Sequence, residues 1–382
     1  MSWFESMVER AVAELASSHL LREPKVVEGV RGPFATIDGR EVLSFCSNDY
    51  LGLSRDSRIS KAASKAAAGW GWGAGSSRLM AGTTALHRAV EREIADFLGA
   101  GSALLFASGS AANAGLLTAT TDEETLVLSD ELNHASVIDA CRLSRAIVRV
   151  YPHGDAEAAE KMLASERAAR KLIFTDTVFS MDGDLAPLPA LRVAANRHGA
   201  ELIVDDAHGF GVLGDTGRGG VELAGVAVAA RSANLAKAAG SIGGFVAGSR
   251  DLVRLLESRA RSFIYTTAAP AAVAAAGMEA LRLVRVADDA RRRVVALGGR
   301  LARGVRALGY PVRESPAPFL PVVLGTEEKA LAAAAKLWES GFLVPAIRPP
   351  TVPKGTSRLR ISVTALHAEN HVDALLESLA KI

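Results

Sequence analysis

The chain has 382 residues, 49% of them hydrophobic and 23% charged, a composition that can bury a core and excludes a disordered chain. At about 100–200 residues per domain, that length predicts two or three domains. Lys and Arg number 44 against 42 Asp and Glu, a net charge of +2, too balanced for nucleic acid or a membrane surface to be the main partner. Only Cys46 and Cys141 occur, with no C-x-x-C pair, so neither a disulfide framework nor a structural zinc site is indicated. Glu5, Glu9 and Arg10 interrupt the N-terminal segment where a secretory signal needs an unbroken apolar run. The longest uncharged stretch, between Asp96 and Asp122, is broken by Gly, Ser, Asn and Thr and makes a poor membrane span. A cytoplasmic protein is expected.

Residues 1–45 read as an arm with an amphipathic helix over 3–20. Beyond it, apolar runs of strand length recur at 103–106, 125–128, 146–150, 172–175 and 202–205, with 243–247 as a sixth. Helix-length segments lie between them at 111–118, 135–145, 155–170 and 188–198. This alternation predicts an α/β domain over 46–280, with a mainly parallel sheet covered on both faces. From 281 the pattern changes to an Arg-rich helix (281–308), a short strand (320–324), a helix (327–340), a strand (359–363) and a last amphipathic helix (367–381). That pattern predicts a smaller α+β domain over 281–382.

In such sheets ligands bind beyond the carboxyl ends of the strands, and polar residues are dense there. Ser108, Gly109 and Ser110 follow the first run, Asp130, Asn133 and His134 the second. Asp176 and Ser180 follow the fourth, and Asp205, Asp206 and His208 the fifth. Lys237 is the only charged residue between Arg231 and Arg250. Its small and apolar neighbours would desolvate the amine, lowering its pKa and raising its nucleophilicity; a lysine snorkelling to the surface reads equally well. Asp205-x-x-His208 closes an apolar strand, where an acid is costly to bury without a cationic partner. A protonated pyridine nitrogen is one such partner; a metal held by Asp205, Asp206 and His208, or an acid capping the following turn, are the alternatives. The turn 108–113 suits a phosphate on backbone N–H groups, or a plain serine N-cap.

Other motifs fall short. No G-x-x-x-x-G-K-[ST] loop occurs, and GWGAGS at 71–76 misses the last glycine of a dinucleotide fingerprint. Ala239-Gly-Ser241-Ile-Gly243 is a nucleophile elbow with its first glycine replaced, which leaves a Ser241 hydrolase as a competing reading. His87 and Glu91 read as a helix-face pair, and Trp70 and Trp72 as packing residues. A lone lysine, a strand-end acid with a histidine at i+3, a phosphate turn and a ring-sized His134 together fit pyridoxal phosphate, with no metal.

Segments across nearly the whole chain carry a family resemblance: SFCSNDYLGL (44–53), GAGSSRLMAGTTALHRAVE (73–91), SDELNHAS (129–136), VFSMDGDLAPL (178–188), VDDAHGFGVLGDTGRGG (204–220), IYTTAAP (264–270) and AIRPPTVPKGTSRLRISVTALH (346–367). The chain resembles the α-oxoamine synthases among the fold-type I pyridoxal-phosphate enzymes. The resemblance implies a PLP-dependent transferase, with a large cofactor domain, a small C-terminal domain and a homodimer that shares its active sites. It implies that Lys237 forms a Schiff base and moves the α-proton, that Asp205 pairs with the pyridine nitrogen, and that His208 and Ser180 approach the ring oxygen. His134 would stack on the ring, and Gly109, Ser110 and Asn234 would hold the phosphate, with Thr266 and Thr267 supplied by the neighbouring subunit. Arg348, Asn48 and Thr351 would meet the amino-acid substrate and Arg22 the far carboxylate of the acyl chain.

Within the family, AIRPPTVP is most similar to members of biotin biosynthesis that condense L-alanine with pimeloyl-CoA or a pimeloyl-carrier protein. The alternatives are a sister synthase joining glycine to a short acyl-CoA, or a PLP-binding protein without catalysis. Two positions depart from the family pattern. Asn234 stands where threonine is usual, although an amide N–H can still donate, and Ser110 replaces a larger, often aromatic residue.

Overall fold

Three sheets organise the chain in the computed structural model, which describes residues 1–382. After the helix Trp3–Ser17 come β1 (Gly29–Arg31), β2 (Phe34–Ile37) and β3 (Arg40–Ser44). The central sheet contains β4 (Ser102–Phe106), β5 (Thr125–Asp130), β6 (Ile147–Tyr151), β7 (Arg170–Asp176), β8 (Ala200–Asp205), β9 (Ala230–Asn234) and β10 (Gly244–Gly248). β11 (Phe319–Gly325), β12 (Phe342–Leu343), β13 (Ala346–Ile347) and β14 (Ser357–Ser362) follow.

The central order is β4-β10-β9-β8-β7-β5-β6. β5 to β9 run parallel, and β10 is antiparallel to both its neighbours. Successive side chains of a strand face opposite sides. Val127, Phe174 and Ile203 accordingly enter one core cluster with the helices Gly109–Thr120 and Ala135–Leu143. Leu126, Leu128, Ile173, Leu202 and Val204 enter the other, with Ala156–Ser165 and Leu188–Arg197. Both faces are thus covered, which is why these strands read as unbroken apolar runs.

Two elements differ from the sequence expectation. β9 reads Ala-Arg-Ser-Ala-Asn and carries no apolar run, yet all five residues are buried. Its polar groups are satisfied inside the fold: Arg231 lies 3.5 Å from Asp206, and Ser232 Oγ donates to Asn113 Oδ1 at 2.5 Å. The expected helix 281–308 is two helices, Ala271–Arg285 and Asp288–Ala307, with Asp288 and Asp289 in the first turn of the second, where acids suit the helix dipole.

The chain forms two compact units. One is Asn48–Val295 with Ser315–Ala317; the other joins Met1–Ser47, Ala296–Glu314 and Pro318–Ile382. This division differs from the expected arm and 280/281 boundary. β3 pairs in parallel with β12, so the arm is part of the second unit. Arg300 donates to Asp373 at 2.7 Å, so the later part of helix Asp288–Ala307 belongs there too.

Candidate active site

A cavity of about 390 Å³ in the first unit lies beyond the carboxyl ends of β4, β7, β8 and β9. Lys237, Asp205, His134, His208, Asn48, Gly109, Ser110 and Asn234 all line it. Eight residues singled out from the sequence, from position 48 to 237, therefore meet at one place.

Asp205 is held by two hydrogen-bond donors. Asn113 Nδ2 donates to its Oδ2 at 2.6 Å and the Ala207 N–H to its Oδ1 at 2.9 Å. Asn113 is itself fixed, donating to Ser136 Oγ at 2.8 Å and accepting from Ser232. The sequence reading passed over this amide. Asn113 is fully buried in the helix Gly109–Thr120, and no spacing in the sequence marks it out. Asp206 turns elsewhere, accepting from Thr177 Oγ1 at 2.5 Å and the Gly220 N–H at 2.9 Å.

His134 caps the helix Ala135–Leu143, with Nδ1 2.7 Å from Ser136 Oγ. Burial holds its pKa below the ordinary imidazole value despite the Asp205 carboxylate. Its backbone N–H donates to Asp176 Oδ2 at 2.9 Å. His208 Nδ1 lies 2.7 Å from the Tyr50 hydroxyl, which donates to Asn48 Oδ1 at 3.1 Å. Tyr50, fully buried, is a second residue the sequence reading missed.

The turn after β4 starts the helix Gly109–Thr120, and Ser108 Oγ caps it by accepting from the Ala111 N–H at 3.1 Å. Both sequence readings of this turn hold together, since a capped helix start still offers backbone N–H groups to an anion. A Cβ on Gly244 would come 2.2 Å from the Ser108 carbonyl, so only glycine lets β10 pass so close to the turn. Asn234 Oδ1 accepts from the Ala236 N–H at 3.0 Å. Its Nδ2 faces Gly109, 3.5 Å from where a Cβ there would sit. The departure from threonine thus leaves an N–H donor directed at the turn.

Lys237 stands in a tight turn closed by the Gly240 N–H to the Lys237 carbonyl at 2.8 Å. Gly240 has φ +62°, and a Cβ there would meet Ser54 N at 2.2 Å. Ser241 Oγ is buried without a hydrogen-bond partner, so no base activates it as a hydrolase nucleophile.

Ser180 does not line the cavity. It is 6% exposed in the turn closed by the Val178↔Leu185 bridge. Thr266 and Thr267 line a separate small space with Arg78 and His87. His87 and Glu91 are not a surface pair. His87 Nε2 lies 2.9 Å from the Ala269 carbonyl, and burial lowers its pKa to about 4. Glu91 accepts from buried Arg78 at 2.7 Å. Trp70 and Trp72 are 53% and 75% exposed, against the expectation that they pack within the chain.

Arg22, Arg348 and Thr351 belong to the second unit. Arg22 Nη2 donates to the Pro349 carbonyl at 2.9 Å, and Arg348 Nη1 to the His19 carbonyl. Arg348 Nε is buried without a partner. The Thr351 N–H donates to the Arg348 carbonyl at 3.1 Å.

Comparison with known proteins places this site. The family model for aminotransferase class I and II matches residues 40–379. The 8-amino-7-oxononanoate synthase of Anaeromyxobacter dehalogenans (strain 2CP-1) is 46% identical, over 96% of this chain and 93% of its own. That of Dechloromonas aromatica is 44% identical over 99% of each. A solved serine palmitoyltransferase from S. paucimobilis with bound PLP superposes with TM-score 0.94 at 28% identity, over 100% of this chain and 98% of its own. With an amine, a donor-held carboxylate, an imidazole and a helix start in one cavity, the residues present fit pyridoxal phosphate. The chain belongs to the class I and II aminotransferase family, on the branch of the 8-amino-7-oxononanoate synthases.

Proposed function

We propose that this chain condenses L-alanine with a pimeloyl thioester, on CoA or a carrier protein, releasing carbon dioxide and free thiol and forming 8-amino-7-oxononanoate for biotin. The single observation that carries this reading is that Lys237 and Asp205 line one cavity beside the phosphate turn, in a chain 46% identical to synthases of that name. Bound pyridoxal phosphate supplies an aldehyde that condenses with amines and a ring that draws electrons from the amino acid's α-carbon.

The chain's own residues divide the remaining work. Lys237 Nζ would hold the cofactor's aldehyde carbon and, once the amine of alanine has replaced it there, would be free to take the α-proton and return a proton to the product. The Asp205 carboxylate keeps the pyridine nitrogen protonated, and Asn113 keeps that carboxylate oriented. His134 covers one ring face, and His208, set by Tyr50, serves the ring oxygen. Gly109, Ser110 and Asn234 Nδ2 take the phosphate. Arg348, with its unpartnered Nε, binds the amino-acid carboxylate as a fork, a geometry lysine lacks. Asn48 and Thr351 assist there, and Arg22 takes the far carboxylate of the pimeloyl chain.

The functional unit is a homodimer in which Thr266 and Thr267 serve the partner's cavity. Tyr265, 70% exposed, adjoins them, and Ser77 pairs with Thr267 on the loop that carries exposed Leu79 and Met80. These exposed apolar side chains near Thr266 and Thr267 support an interface there.

The test is thiol release from pimeloyl-CoA with alanine, for wild type and Lys237→Ala. Wild type should turn over, and Lys237→Ala should lose turnover together with the absorption band of the lysine-bound cofactor. Faster thiol release with glycine and a short acyl-CoA would overturn the substrate assignment. A bound-cofactor spectrum with no thiol release from any pair would overturn catalysis.

A further inference from the structure

Asp176 is the one cavity-lining carboxyl without an assigned task, and its surroundings are unusual. It ends β7 directly opposite Asp205, the two being register partners on adjacent parallel strands. It is 3% exposed and lines the cavity. Asp205 receives two donors, but Asp176 receives only the His134 N–H, on Oδ2, and its buried Oδ1 has no hydrogen-bond partner. The groups around it are Asp205 on β8, Asp130 on β5, Tyr151 on β6, His134 before the helix Ala135–Leu143, and Lys237 after β9. Only Lys237 opposes the like charges of Asp205 and Asp130. Two carboxylates side by side in a buried site do not both ionise readily, and the one with fewer donors keeps the proton.

The strand order says what that proton faces. β8 carries Asp205; β9 and β4, with Asn234 and the phosphate turn, lie to one side of it, and β7 with Asp176 lies immediately to the other. In pyridoxal phosphate, the phosphate arm and the phenolic oxygen sit on opposite edges of the axis from ring nitrogen to aldehyde carbon. With the nitrogen at Asp205 and the phosphate toward β9 and β4, the phenolic oxygen turns toward β7. That edge of the ring carries no other polar atom.

We infer that Asp176 is a neutral carboxylic acid and that its Oδ1–H donates a hydrogen bond to the phenolic oxygen of the bound cofactor, while Oδ2 positions His134. Burial, and then the Asp205 charge, push its pKa well above the ordinary carboxylate value, in the same direction. A carboxylate there would repel an anionic phenolic oxygen, whereas an O–H donor gains a charge-assisted bond. This inference rests on the cofactor reading above and adds a second partner for the ring oxygen beside His208.

Infrared spectra of the holoenzyme and a pH titration of its cofactor band test it. The C=O stretch of a protonated acid should be present at neutral pH in wild type and absent in Asp176→Asn. The band's apparent pKa should stay put in Asp176→Asn, a neutral isostere with an N–H donor. It should rise in Asp176→Ala, with cofactor binding about tenfold weaker or more, as for a lost hydrogen bond to a charged group. A fall of about one unit in Asp176→Asn would show that a negative charge had been removed, and would overturn the inference. So would an absent acid stretch. Were both variants to misfold, Asp176→Glu in ¹³C-aspartate-labelled protein should move one acid stretch from the labelled to the unlabelled frequency. A wild type with no cofactor band would sink the cofactor reading, and with it the acceptor of the bond, but not the neutral state of Asp176. The acid stretch is still read in that case, so the two failures separate.

Discussion

Asn113 shows how one uncharged side chain can set the electrostatics of the whole site. Its amide donates to Asp205 and Ser136 while its carbonyl accepts from Ser232, so every one of these contacts is buried and directional. Asn113→Ala should leave Asp205 short of a donor and free to turn, weakening cofactor binding by about tenfold, the scale of one hydrogen bond to a charged group. A cofactor titration of the folded variant checks this, and an unchanged affinity would remove Asn113 from the site. Lys237, Asp205, His134 and His208 were legible in the sequence because charge or ring size betrays them in small, apolar surroundings. Asn113 and Tyr50 were not, because an amide and a phenol carry no spacing signal and their partners are 92 and 158 residues away; Asp176 was legible as a strand-end acid, but not its partner 42 residues away.

At the scale of elements, His153 ties three connections together. Its Nδ1 lies 2.9 Å from Asp130 at the end of β5, and its Nε2 lies 2.8 Å from Asp184 in the turn that carries Ser180. Burial opposes a charge on His153, but the two carboxylates together outweigh it and raise its pKa to about 10. A pKa raised in the folded state above the ordinary 6.5 means that the folded form binds the extra proton. The clamp's contribution is therefore complete below pH 6.5 and is lost as pH rises through about 10. A gain on the order of 3–5 kcal/mol is expected at neutral pH. Melting temperature should fall between pH 7 and 10 in wild type and change much less over that range in His153→Gln; parallel curves would show that the imidazolium stabilises nothing. β9 is the element that pattern reading misses. A central strand may be polar where neighbouring elements bring matching partners, and nothing local announces those partners.

For the whole molecule, the exposed Trp72 and Met80, at 75% and 82%, are the measure of what one protomer leaves unfinished. Single exposed apolar residues are ordinary, but several near the segment that pairs with Thr267 suit the proposed dimer interface. Trp72→Glu with Met80→Glu should shift the protein to monomer in sedimentation velocity and weaken cofactor binding, since each cavity then loses the threonines of its partner. A monomer with unchanged cofactor affinity would refute the sharing of sites. The departures in the phosphate turn belong to this scale as well. Asn234 is a substitution within one strand end, yet its effect depends on Gly109 from another, toward which its amide nitrogen is directed.

The sequence by itself determined the class of fold and most of the order of its elements, and it nominated most of the residues that meet in the cavity. Period, turn chemistry and isolated charges are local properties written in consecutive residues. Which acid is held by donors and which is left with an unpartnered oxygen was decided only in three dimensions, and so was the grouping of the arm with the C-terminal segment. Both depend on strands distant in the chain becoming neighbours: β7 beside β8 sets two carboxyls against each other, and β3 beside β12 recruits the arm. Proton sharing and strand pairing act through space, over a few ångströms, between residues whose separation along the chain is arbitrary.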